Sequence, residues 1–104
     1  MKGEILLVEY LYDAIRAVAG QDIIINAFIT DEQEVSITTG CSLVLYDKTA
    51  NETLLSIEGK YLPDNLMWEF NIPAIETKGL NGRYWYAIQY EGNAMCFKQP
   101  IYLL

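Results

Sequence analysis

The chain contains no histidine. That removes the commonest general base and the commonest metal ligand, and with them the usual nucleophilic triads. Positive charge is scarce too. Five lysines and two arginines, Arg16 and Arg83, stand against 14 acidic residues, a net charge of −7. The cations are scattered along the sequence and show no basic patch. An acidic surface repels phosphate backbones and anionic lipid headgroups alike, so neither nucleic acid nor membrane is an expected partner. Cysteine is limited to Cys41 and Cys96, far apart in the chain. They could close one inter-strand disulfide, but a chain without an export signal more often keeps such thiols reduced as buried packing residues. No apolar run approaches membrane-spanning length. The N-terminus has Lys2, an apolar stretch at 5–8 and Ala17-Val18-Ala19, but Glu4, Glu9, Asp13 and Arg16 interrupt it. No leader peptide is expected, and the chain reads as a soluble protein made in a cytoplasm.

What the chain has in quantity is apolar and aromatic surface. Its 104 residues suffice for a single domain spanning 1–104, with 1–12 as an N-terminal arm or first strand. The hydrophobic content of 52% exceeds what one compact core of this size requires, and a subunit interface is the simplest place for the surplus. The most informative stretch is 80–90. Period-two alternation places Tyr84, Tyr86, Ile88 and Tyr90 on one face and Arg83, Trp85, Ala87 and Gln89 on the other. The Leu80-x-Gly82-x-Tyr84-x-Tyr86 run resembles the late central strand of an immunoglobulin-like sandwich. There a tyrosine near the strand start ties its hydroxyl to the preceding loop.

The same alternation recurs upstream. In 22–30, Ile23, Ile25, Ala27 and Ile29 share one face, and Ile24, Asn26 and Phe28 the other. In 66–72, Leu66, Trp68, Phe70 and Ile72 point inward, and Met67, Glu69 and Asn71 outward. Further strands are expected at 35–37, 40–46, 54–58 and 94–103, with Pro100 near an edge. A short helical turn is expected near 73–80, started by Pro73 and ended by Gly79. Segment 10–19 fits helix or strand and is assigned as strand. Seven to eight short strands at about ten-residue spacing indicate an all-β antiparallel sandwich.

Candidate chemistry is thin. Ser36, Ser42 and Ser56 sit in strand contexts without a nucleophile turn. Asp31, Glu32 and Glu34 crowd one turn and lack the spaced aspartates and glycine of a calcium loop. No catalytic, cofactor-binding or metal-binding residue is assigned, and the chain is read as non-enzymatic. Tyr46, Trp85 and Tyr102 point away from the core and could form a sugar-stacking platform, which is the alternative reading. The leading reading is a protein interface. Outward positions of a sandwich wetted on its outside should be polar, yet Ile24, Phe28, Val44, Tyr46 and Trp85 are not. Ile5, Leu6, Leu7 and Val8 join them, either packing within the chain or adding a strand to a neighbour.

The element order carries a resemblance. Ile15-Arg16-Ala17-Val18-Ala19-Gly20-Gln21-Asp22, Leu43-Val44-Leu45-Tyr46-Asp47, Trp68-Glu69-Phe70-Asn71-Ile72-Pro73, Thr77-Lys78-Gly79-Leu80 and Gly82-Arg83-Tyr84-Trp85-Tyr86 follow in turn. Over 15–104 the chain resembles the N-terminal immunoglobulin-like domain of bacteriophage baseplate upper proteins. It departs in having Gly20-Gln21-Asp22 where that family usually has Gly-Asp, and the sequence stops at Leu104 where that family commonly continues into further domains. The resemblance implies an immunoglobulin-like module of a virion (capsid decoration, neck, tail or baseplate), made in the host cytoplasm and docking to itself or other virion proteins.

Overall fold

The computed structural model of the chain describes residues 7–8, 14–31, 33–91, 93–94 and 98–104. In chain order the elements are β1 (Leu7–Val8), β2 (Ile15–Ala17), β3 (Ile23–Ala27), β4 (Ile29–Thr30), β5 (Cys41–Tyr46) and β6 (Thr53–Glu58). Then come β7 (Lys60–Leu62), β8 (Met67–Ile72), α1 (Ala74–Thr77), β9 (Gly82–Tyr90), β10 (Asn93–Ala94) and β11 (Gln99–Leu103). One sheet runs β2-β11-β9-β5-β6, with β10 hydrogen-bonded to β9; a smaller one runs β3-β8-β7, and β1 pairs with β4. The pairing is antiparallel except between β2 and β11, which run parallel. This is the expected immunoglobulin-like β-sandwich.

The core forms where the alternating faces of the two sheets meet. Ile23, Ile25, Ala27 and Ile29 are buried from one sheet side, with Trp68, Phe70 and Ile72 beside them. Leu43, Leu45, Tyr84, Tyr86, Ile88, Ile101 and Leu103 face them from the other. Register aligns these side chains in rows: Ile25 lies opposite Phe70, Leu43 opposite Ile88, and Leu45 opposite Tyr86. Tyr84 behaves as its motif implied, its Oη accepting a hydrogen bond from the Asn81 backbone N–H at 3.3 Å.

Five expectations need adjusting, the first being the strand expected at 35–37, which is reduced to an isolated bridge between Ser36 and Thr30. Strand 22–30 breaks at Phe28, although burial keeps alternating through Ile29. Strand 54–58 does not end the excursion, because the chain passes Gly59 and re-enters pairing as β7 in the opposite sheet. Leu66 is not inward. It ends the turn opened by Pro63, sits at φ +54° and is 56% exposed, so the inward series begins at Trp68. The expected strand 94–103 is described as β10 and β11 separately. Pro100 lies opposite Trp85, one residue before β11 meets β2, so its missing N–H removes no bond from the β2 ladder.

The helical turn and the turn before β3 are clipped together. Asp22 Oδ1 accepts from the Ala74 backbone N–H at 2.8 Å, satisfying an N-terminal donor that α1 cannot satisfy itself. Thr77, fully buried, accepts from the Gly20 N–H through Oγ1 at 3.0 Å. Thr77→Val keeps the shape and removes the acceptor, so it is expected to cost about 1–2 kcal/mol in urea unfolding. Retained stability would show that the bond contributes nothing.

The β5–β6 loop is organised by one carboxylate. Asp47 Oδ1 accepts from Thr49 Oγ1 at 2.7 Å and from the backbone N–H groups of Thr49, Asn51 and Glu52. The Thr49 hydroxyl, with those N–H groups behind it, holds the Asp47 carboxyl below its ordinary value of 3.8. A lowered folded value means the charged form stabilises the fold above that ordinary pH and the benefit disappears as pH falls through the folded value. Asp47→Ala is expected to lower Tm by a few degrees at pH 7 and to flatten the Tm–pH curve below about pH 4. An unchanged acid limb would assign that dependence to other carboxylates.

Candidate functional site

Alternation says which face a residue occupies; the structure adds what covers it. On the small sheet the outward side chains of β3 are uncovered, with Ile24 55% and Phe28 50% exposed. Asn26 lies between them, in a cross-strand row with Glu69 and Lys60. Towards Phe28 the same face carries Met67 and Leu62, paired across β8 and β7 and half-buried. An apolar corner with a polar centre is thus left on the outside of β3-β8-β7.

The large sheet differs. Val44 and Tyr46 do point outward, but they are only 4% and 8% exposed and form a second buried cluster with Ala87. The expectation that they stand open for docking is corrected. β5 lies between two strands and is buried on both faces, and a face assignment cannot reveal that. Trp85 packs half-buried against this cluster and donates from Nε1 to the Lys48 carbonyl at 3.3 Å. Ile5 and Leu6 lie outside the described residues. Leu7 and Val8 form β1, paired within the chain to Thr30 and Ile29.

The aromatic platform is also occupied. Lys98 Nζ stands 4.1 Å from the Tyr46 ring centre, Arg83 Cζ 5.0 Å from Trp85 and Arg16 Cζ 5.5 Å from Tyr102. Each candidate ring therefore already has a cation on a face that a sugar would stack against. Sequence reading missed this gathering of cations. The signal was present within β9, where Arg83 and Trp85 share a face, but the partners on other strands depend on register.

The β6 and β7 edges are blunted as pairing templates. β6 carries a bulge: Leu45 pairs with Leu55 and Tyr46 with Thr53, leaving Leu54 unpaired. β7 is three residues long and begins with a lysine. A shallow hollow of about 510 Å³ lies beside them, lined in part by Ser42, Ser56, Glu58 and Gln89. Cys41 also borders it. Its thiol is free and buried, and burial pushes it up to about 12, so little thiolate exists at neutral pH to act as a nucleophile. Asp31 is engaged in its own turn, Oδ1 accepting from the Gln33 and Val35 N–H groups. Among the described residues, no group of three or more cysteine, aspartate or glutamate side chains is placed to hold a metal ion.

No protein-family model matches the chain, and no curated protein matches it. Among solved structures it is similar to the crystal structure of the Lin-41 filamin domain. The TM-score is 0.59 at 12% sequence identity, over 97% of this chain and 91% of that one. At that identity the likeness is one of architecture, an immunoglobulin-like β-sandwich spanning nearly the whole chain.

Proposed function

We propose that the chain is a non-enzymatic protein-interaction module and that it serves as a structural component of a bacteriophage particle. The observation that carries the first part is the pair Ile24 and Phe28, large apolar side chains left open on a face that ordinarily carries polar residues. Each is about half exposed, so covering both on docking yields about 1 kcal/mol apiece. A single contact of this size is weak. Repetition on a lattice multiplies it through effective concentration, which suits a subunit present in many copies. The partners are copies of the chain itself and other virion proteins. The blunted β6 and β7 edges favour docking through the sheet face over strand addition at those edges. The virion assignment draws on the resemblance to baseplate domains. Mass spectrometry of gradient-purified phage particles tests it: the chain is expected at a fixed copy ratio to the major shell protein. Its absence from intact particles, with recovery only in the soluble fraction, would sink the assignment.

A further inference from the structure

The fold concentrates positive charge that the sequence disperses. Arg16 of β2 and Arg83 of β9 flank Tyr102 of β11 in one cross-strand row. Lys98 reaches Tyr46 on the same outer face and donates to the Ala50 carbonyl. Lys48 lies at that end of the sheet, its Nζ 5.5 Å from the Tyr84 ring centre. All four cations are exposed, and among the described residues none is ion-paired to a carboxylate. The nearby Asp47 is turned into its own loop. An aromatic ring holds a cation in place without neutralising it, whereas an ion pair would cancel its charge. Three cations on one end of the outer face, with Lys48 beside that end, thus gather positive charge in a chain of net charge −7 without an ion pair among the described residues.

We infer that this end of the large sheet binds an extended, carboxylate-rich segment of a partner protein. Arg16 and Arg83 are two strand spacings apart, about 10 Å. An extended segment with an acid at every second residue spaces its charges by about 7 Å, within the swing of two arginine side chains. Arginine forks suit carboxylates bidentately. Ring faces already holding cations are poor platforms for stacked bases or neutral sugars. The surface lies on the sheet opposite Ile24 and Phe28, so it stands or falls independently of docking there.

The test is fluorescence anisotropy of a fluorescein-labelled deca-glutamate peptide titrated with the full chain. Binding is expected at low salt and should weaken as salt rises towards physiological strength. Arg16→Glu with Arg83→Glu is expected to weaken it by about tenfold or more, because the new carboxylates repel the probe. Lys60→Glu with Lys78→Glu makes the same change in net charge elsewhere and is expected to stay within about twofold of wild type. Should the arginine variant fail to fold in a thermal melt, Lys48→Glu with Lys98→Glu replaces it, with the same loss expected. No binding by wild type, or equal loss in the Lys60/Lys78 control, overturns the proposal. So does tighter binding of a DNA oligonucleotide or a heparin fragment, which would give the surface to a phosphate or sulfate polymer.

Discussion

Gly59→Ala is expected to destabilise the fold by about 2–3 kcal/mol, lowering Tm by roughly 10–20 °C in a domain of this size. A Cβ at this position would lie 2.5 Å from Phe70 Cε1, 2.6 Å from Trp68 Cε3 and 3.0 Å from Phe70 Cδ1. None of these atoms is the loose end of a flexible chain. Phe70 is fully buried, and Trp68 is held by its Nε1 donating to the Ile37 carbonyl at 2.6 Å. The backbone is pinned as well, since the Gly59 N–H donates to the Cys41 carbonyl at 2.9 Å. Gly59 is where the chain leaves β6 for β7, so it must pass directly over the core rings. Phe70→Ala tests the other side of the contact and is expected to cost about 3–5 kcal/mol through lost burial and a residual cavity. The two sites should couple. Phe70→Leu removes the nearest clashing atom, so Gly59→Ala should cost less in that background than in wild type. Strict additivity in urea unfolding would show that the ring does not block the site.

The second large effect separates two residues that alternation treats alike. Val44 and Phe28 both lie on outward faces, yet one is buried and the other half exposed. Val44→Asp places a carboxylate between Ala87 and Ser56, its cross-strand neighbours, in a cluster that is otherwise buried. It is expected to cost about 3 kcal/mol or more. Ile24→Thr with Phe28→Asp keeps a β-branched residue in β3 and puts the charge at the strand break. The cost should be about 1 kcal/mol or less, with association abolished. Thermal melts paired with sizing distinguish the cases. Unfolding of the Ile24/Phe28 variant would make those side chains structural, and a stable Val44→Asp would mean that β5 is wet on its outer face.

Much of the sandwich was legible because period-two burial needs no knowledge of partners. Ile23 to Ile29 and Trp68 to Ile72 bury alternate residues as their spacing predicts, and Tyr84, Tyr86 and Ile88 are buried as predicted although outward Ala87 is buried too. The helical turn and the Tyr84 hydroxyl contact were legible from local chemistry, a proline and a glycine bounding one and a strand-entry motif marking the other. What escaped was what depends on neighbours distant in sequence. Leu66 continues the apolar alternation but is taken by the turn, and Gly59 marks a change of sheet that a single strand cannot reveal. Val44 and Tyr46 face outward as read, but they are buried in a cluster with Ala87 and Trp85 that assembles only in register. Arg16, Lys48, Arg83 and Lys98 span more than eighty positions and meet only once β2, β9 and β11 are in register.

In the proposed function a folded sandwich associates through Ile24 and Phe28. Light scattering of the purified chain, from about 10 μM to about 1 mM, tests it most directly: that range reports association free energies of about 4–7 kcal/mol, and a symmetric contact covering both copies of each side chain supplies about 4. Wild type is expected to rise above its monomer mass of 11.9 kDa as concentration increases, while the Ile24→Thr, Phe28→Asp variant stays at that mass. A wild type that remains at 11.9 kDa throughout, or a variant that associates as strongly as wild type, would contradict the account.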